Sequence, residues 1–214
     1  MCGDGPAGLA PVEFAGGVLD PFRHVCAFVN GREEGNRILD PFVLDGVALG
    51  DTLMYFVDPA ERASQVSHLR HLGLDTPNLL QRGQFIIHTW QETYLSKGHF
   101  DQESTIEIID ALLGDSSGSR IRLITDMSWA SAAPDVGRLV LEYEAQAGAA
   151  LPKYPHISIC VYDITKFSAD VLIDVLRTHP MALIGGMLQV NPFYVPAAEF
   201  LAELHSRNPS ASHA

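Results

Sequence analysis

The chain has 214 residues, 47% hydrophobic and 19% charged, enough for one globular domain with a sizeable core. Its 26 acidic against 14 basic residues leave a formal charge of −12, which argues against direct contact with nucleic acid or an anionic membrane. No apolar run reaches the ~18–20 residues of a membrane span, Met1-Cys2-Gly3-Asp4-Gly5 has no secretory character, and Cys2, Cys26 and Cys160 form no C-x-x-C pair; a reduced, cytoplasmic protein is expected.

Gly/Pro/Ala composition predicts a flexible N-terminal segment over 1–21. Pro21-Phe22-Arg23 then enters a strand over 24–30, where His24, Cys26, Phe28 and Asn30 share one face. The chain runs on through Gly31-Arg32-Glu33-Glu34-Gly35 into a helix over 32–49. In an alternating α/β protein this first turn is where nucleotide phosphates sit, on a glycine-rich loop with a Lys followed by Ser or Thr. Here two glutamates stand at the turn and the Lys-Ser or Lys-Thr is missing, so a triphosphate would be repelled. Pro41 should bend or break the helix.

A strand over 51–57 follows, then Asp58-Pro59, a cap residue and a proline that open a helix over 59–72. The strand over 84–90 leads through His88-Thr89-Trp90-Gln91-Glu92-Thr93-Tyr94, a mixture that suits a pocket lining; a solvated loop anchored by Trp90 explains it equally well. After a helix over 101–114, the strand 120–126 ends in Asp126, where an NTPase presents its magnesium-side carboxylate. Trp129 then stands either at a pocket mouth or under the next helix. That helix, over 134–150, opens near Pro134-Asp135 and carries Glu142-Tyr143-Glu144. Glu142 and Gln146 share a face while Glu144 points elsewhere, and a solvated acidic face is preferred. The strand 156–163 puts His156, Ser158, Cys160 and Tyr162 on one face and ends at Asp163. A helix over 168–178, a strand over 181–190, a helix over 197–206 and a flexible tail over 206–214 complete the chain.

The alternation predicts a three-layer α/β fold, a mostly parallel sheet with helices on both faces. Ligands then bind outside the carboxyl ends of the strands. The candidate ligand-binding residues are His24, Cys26, Asn30, Trp90, Glu92, Tyr94, Asp126, Trp129, Tyr162, Asp163 and His179. If the strands 24–30 and 156–163 are neighbours, Cys26 and Cys160 could meet in a metal or redox site. Single cysteines in apolar strands are more often buried small hydrophobes, so no metal ligand is assigned. No nucleophile elbow, His-Glu-x-x-His helix or Ser–His–Asp order is present, and no catalytic residue or enzyme activity is expected.

Eight stretches together resemble a known family. They are His24-Val25-Cys26-Ala27-Phe28, Val57-Asp58-Pro59, Thr89-Trp90-Gln91-Glu92-Thr93-Tyr94-Leu95, Leu141-Glu142-Tyr143-Glu144-Ala145, Leu151-Pro152-Lys153-Tyr154-Pro155, Cys160-Val161-Tyr162-Asp163, Asp174-Val175-Leu176-Arg177-Thr178-His179-Pro180 and Asn191-Pro192-Phe193-Tyr194-Val195-Pro196. Their order and spacing look like the MEDS domain, the methanogen/methylotroph sensory domain named after a dichloromethane-responsive regulator. Any one motif is weak; eight in order are specific. The single MEDS-like domain is placed over 22–205.

The resemblance implies a RecA/KaiC-like α/β fold without the phosphate-binding P-loop, used for sensing small molecules, hydrocarbon derivatives among them. Such domains are often joined to DNA-binding, histidine-kinase or anti-sigma modules, none of which fits in the residues outside 22–205. The expected partners are therefore a small-molecule ligand and a separate regulatory protein of kinase, anti-sigma or DNA-binding type, with a homodimer left open and no cofactor identified. Two alternatives remain: a pure protein-interaction switch in a sigma-factor or two-component circuit, and a degenerate nucleotide-binding protein.

Overall fold

The computed structural model describes residues 10–114, 119–131 and 136–207. A hairpin of β1 (Val12–Phe14) and β2 (Gly17–Leu19) precedes β3 (His24–Val29) and α1 (Gly31–Leu49). Then come β4 (Thr52–Val57), α2 (Arg62–His71), α3 (Thr76–Gln81), β5 (Phe85–Thr89), α4 (Gln102–Gly114), β6 (Ile121–Asp126) and α5 (Val136–Ala150). The chain continues with β7 (Ile157–Asp163), α6 (Ala169–Thr178), β8 (Met181–Ile184), β9 (Met187–Val190) and α7 (Ala197–Arg207).

The predicted α/β class is observed. Seven strands form one sheet in the order β5-β4-β6-β7-β3-β8-β9, parallel throughout except for the β8–β9 pair. Its central strands are near-continuous apolar runs because both faces are covered. On one face Val25, Ala27, Leu53, Tyr55 and Ile159 pack against Leu39, Phe42 and Val43 of α1, Leu69 of α2, Leu79 of α3 and the β1–β2 hairpin. On the other, Cys26, Met54, Phe56, Leu123, Cys160 and Tyr162 pack against α4, α5, α6 and α7 through Ile109, Leu113, Leu141, Val175 and Phe200. No helix among the described residues is long and apolar enough to cross a membrane.

Several expectations are corrected. Residues 12–19 are not loose: they pair as a hairpin, and Val12, Phe14 and Leu19 are buried. Residues 1–9 lie outside the described residues. Pro41 does not break α1, since it lies on the exposed side, where water can satisfy the carbonyl it leaves unpaired. The segment 59–72 divides into a 3-10 turn at Pro59–Glu61 and α2, with Asp58 accepting the Ala60 N–H at 2.9 Å as the predicted cap. The single strand expected over 181–190 is a hairpin, because Gly185 and Gly186 both take positive φ (59° and 77°) and turn the chain back. Helix α3 lies in a stretch for which no element is predicted; Asp75 caps it and Pro77 sits in its first turn. The cap expected at Pro134-Asp135 and most of the tail expected over 206–214 lie outside the described residues, whereas Ser206 and Arg207 are helical and Arg207 pairs with Asp174 at 2.7 Å.

Candidate functional site

Two of the concavities among the described residues lie on opposite faces of the sheet region. The first, of about 170 Å³, opens at the carboxyl ends of β3, β4, β6 and β7, where an alternating sheet places its ligands. Helix α1 starts at Gly31, with φ +81°, directly after the end of β3, and Glu34 Oε2 accepts the Asn30 backbone N–H at 2.6 Å. The turn is thus filled by the chain's own carboxylate. Asp40, Asp58, Glu61, Asp126 and Asp163 line this crevice against Arg32 and Lys166. Arg32 is bonded to Glu61, and Lys166 Nζ donates to Ser128 Oγ at 3.0 Å. Burial raises the pKa of Asp126, partly offset by the Ser128 N–H that it accepts at 2.9 Å.

The second is a cavity of about 180 Å³ between α4, α5 and the sheet. Ile106, Ile109, Leu113, Leu123, Ala147 and Leu151 form apolar walls, and His24, Tyr143, Ser158 and Cys160 bring polar atoms to its inner end. For comparison, an apolar cavity of roughly 150 Å³ holds benzene.

At that inner end four buried side chains from four places in the chain converge: His24 at the start of β3, Glu144 on α5, Cys160 in β7 and His179 just beyond α6. Their donor atoms all lie within 4.8 Å of one another. Glu144 Oε2 is 3.4 Å from both His24 Nε2 and His179 Nε2 and 3.8 Å from Cys160 Sγ, and Cys160 Sγ is 3.6 Å from His24 Nε2. Glu144 Oε1 accepts the Tyr162 hydroxyl at 2.5 Å. His179 Nδ1 donates to the Val175 carbonyl at 2.8 Å, so its Nε2 faces the cluster with a lone pair. The two imidazoles lie 4.0 Å apart, ring centre to ring centre.

The electrostatics follow from this crowding. Burial, aided by His179, lowers the pKa of His24 to about 4 against the pull of Glu144, so His24 is neutral at neutral pH. Burial raises the Glu144 carboxyl, and the imidazoles of His179 and His24, whenever protonated, pull it back below its ordinary range. Burial, then the Glu144 carboxylate, pushes the Cys160 thiol well above its usual value. A second anion is disfavoured there unless a cation joins it.

The predicted site residues separate into groups. His24, Tyr162 and His179 meet in the buried cluster, and Tyr94 lines the cavity. Asp126 and Asp163 line the strand-end crevice, where Asp163 Oδ1 accepts the Gly31 N–H at 3.3 Å and the Thr165 hydroxyl at 2.7 Å. Trp90 donates its indole N–H to the Asp126 carbonyl at 2.9 Å. Trp129 is buried in the core, its ring 4.7 Å from that of Tyr94. Glu92 folds back onto the Thr89 N–H at 2.6 Å and closes a capping box. Asn30 is exposed beside the Glu34 cap. Cys26 and Cys160 are register partners on adjacent strands, yet Cys26 Sγ donates to the Met181 carbonyl at 3.7 Å and both cysteines are free.

Glu144 is missing from the candidate ligand-binding residues, and Cys160 is named as a candidate in the sequence reading only with Cys26, for a metal or redox site. The solvated acidic face expected for Glu142-Tyr143-Glu144 does not hold for Glu144, which is fully buried. The signal lies in its spacing: Leu141, Glu144, Ala145 and Gly148 share the buried stripe of α5, and small residues follow the glutamate along it. A Cβ at Gly148 would stand 3.3 Å from His24 Nδ1, so the glycine allows α5 to approach the imidazole.

The transcriptional repressor DcmR of Methylorubrum extorquens is 26% identical over 178 residues, which cover 82% of this chain and 65% of the relative. The chain therefore spans slightly less than two thirds of that protein's length. Residues 23–180 match the family described as MEDS: MEthanogen/methylotroph, DcmR Sensory domain. That match runs from the edge of β3 to the foot of β8 and takes in all four residues of the buried cluster, and the chain belongs to the MEDS family of sensory domains.

Proposed function

We propose that this chain is a non-catalytic sensory domain that takes a small, largely apolar organic molecule into the cavity between α4, α5 and the sheet and relays its presence to a regulatory protein. The observation that carries this reading is the cavity itself: about 180 Å³, with apolar walls and a few directional polar groups set among them. That volume suits a hydrocarbon derivative of a few carbons. The family, and a relative that is a transcriptional repressor, support a sensory role in regulation within the cytoplasm. Helix α5 would carry the signal, since it lines the cavity and also packs against α6 and α7.

The strand-end crevice supports a nucleotide less well. Five carboxylates face two cations there, and both cations are already bonded. A RecA/KaiC-like frame with its phosphate turn closed by Glu34 accounts for this arrangement.

The test is a panel of small alcohols, aldehydes, thiols and alkyl halides titrated against the protein, with ligand-observed NMR as readout. Saturable binding without turnover is expected for at least one class. Ala147→Phe, which fills the cavity from the half-buried side of α5, should abolish it while the far-ultraviolet circular dichroism stays unchanged. Unchanged affinity in Ala147→Phe, or magnesium-dependent nucleotide binding in place of organic ligands, would overturn the assignment.

A further inference from the structure

The buried cluster beneath the cavity has the geometry of a metal site. Zinc bonds of about 2.0–2.2 Å to nitrogen and oxygen and about 2.3 Å to sulfur, arranged tetrahedrally, place neighbouring donors roughly 3.4–3.6 Å apart. Four of the six donor–donor separations are 3.4, 3.4, 3.6 and 3.8 Å, and all six lie within 4.8 Å. The two imidazole–carboxylate distances are long for charge-assisted hydrogen bonds, which run near 2.7–2.9 Å. They match two donors that share an ion. His179 Nε2 is fully buried and makes no hydrogen bond, although Glu144 Oε2 lies 3.4 Å away. Such an orphan in a closed core is unusual unless something else fills its lone pair.

The surrounding contacts are those of a ligated centre. Tyr162 holds Glu144 Oε1 and leaves Oε2 to face the cluster. The Val175 carbonyl fixes His179 in the tautomer that presents Nε2. Outer partners of this kind orient metal ligands. The charge also closes: a carboxylate and a thiolate neutralise a divalent cation, and two neutral imidazoles complete four donors.

We propose that His24 Nε2, Glu144 Oε2, Cys160 Sγ and His179 Nε2 bind one divalent transition-metal ion, zinc by the softness and number of the donors. On binding, the Cys160 thiol gives its proton to solvent and four metal–ligand bonds form, with no change of oxidation state. The site ties β3, β7, α5 and the end of α6 together. His24 and Cys160 also line the cavity, so a molecule lodged there would touch the metal's ligands. This proposal stands apart from the sensory reading, because metal content is measured with no organic ligand present.

The experiment uses the tag-free chain, purified without chelators, and measures metals by inductively coupled plasma mass spectrometry. Close to one zinc per chain is expected. The metal-free protein titrated with cobalt(II) should give intense tetrahedral visible bands and a near-ultraviolet thiolate band, saturating at one equivalent. Cys160→Ser and His179→Ala should lose the zinc, Cys26→Ser should keep it, and Tyr162→Phe should weaken it about ten- to a hundredfold. Absence of both zinc and cobalt bands in the wild-type chain overturns the proposal, as does a cobalt spectrum without the thiolate band or retention of zinc in both Cys160→Ser and His179→Ala. The wild-type measurements decide the matter even if a substituted chain fails to fold.

Discussion

Arg122 shows how single residues hold this domain together. Its side chain is completely buried, and every arm of the guanidinium is used: Nε donates to Asp51 Oδ2 at 2.6 Å, Nη1 to the Phe42 carbonyl at 2.7 Å and Nη2 to Asp45 Oδ2 at 2.8 Å. The charge also lies 4.6 Å from the centre of the Phe42 ring. Arg122→Met keeps much of the volume but leaves Asp51 buried beside only the more distant Arg120, whose Nε is 3.9 Å away. Breaking a buried pair from one side costs about 3–5 kcal/mol. Asp45 is half exposed and can turn to water, so a loss near the lower end, about 3 kcal/mol, is expected in the urea unfolding free energy. A loss under about 1 kcal/mol, the scale of a surface pair, would show that the network is dispensable. Arg122 and Glu144 also mark where the sequence is hardest to read. A charge inside an apolar pattern looks like a solvated position unless its partner is known. The partners here come from 71 residues away in one case and from three other elements in the other.

At the scale of elements, packing overrules propensity. Gly46 lies inside α1, where alanine would ordinarily add about 1 kcal/mol of helix stability. A Cβ at that position would sit 2.7 Å from Arg122 Cδ and 2.8 Å from its Nε. The guanidinium is pinned by Asp51, Asp45 and Phe42 and has no room to yield. Gly46→Ala should therefore destabilise the protein, since overpacking costs about 1–3 kcal/mol. A net loss of roughly 1–2 kcal/mol is expected by denaturant titration, and a gain would mean that Arg122 can repack. The long elements were legible because their signals are redundant: each buried parallel strand is an apolar run, and α4 to α6 carry apolar stripes. The short ones were not. The β1–β2 hairpin has three residues per strand and turns through Ala15 and Gly16 at positive φ, so its composition resembles that of a loop. The Thr89–Glu92 pair looked like pocket chemistry and is a cap, because the same carboxylate serves either purpose and only the backbone geometry decides.

The whole molecule is larger than the span that identifies its family. The matched residues, 23–180, stop short of the β1–β2 hairpin, the β8–β9 hairpin and α7. Each omitted piece covers core. Val12, Phe14 and Leu19 are buried, the Phe14 ring stands 5.0 Å from Phe42 of α1, and the Leu188 N–H donates to the Ala15 carbonyl at 3.0 Å. Strand β8 pairs with β3 from Val25 to Phe28, so its removal would open a row of unpaired backbone groups along a hydrophobic strand. Phe200 and Leu204 of α7 close the face that holds the buried cluster. Burying a large apolar side chain contributes about 1.5–3 kcal/mol, so losing these five alone would remove more than about 7 kcal/mol, comparable to the whole stability of a typical domain at about 5–15 kcal/mol. A fragment of residues 23–180 should therefore be unfolded or aggregated, whereas residues 10–207 should unfold cooperatively in urea, as followed by circular dichroism and size-exclusion chromatography. If 23–180 unfolded cooperatively at the same midpoint, the flanking elements would be appendages. The cavity and the buried cluster would then stand on the matched core alone. The geometry favours the first outcome, because β3, which carries His24 and Cys26, lies between β7 inside the matched span and β8 outside it.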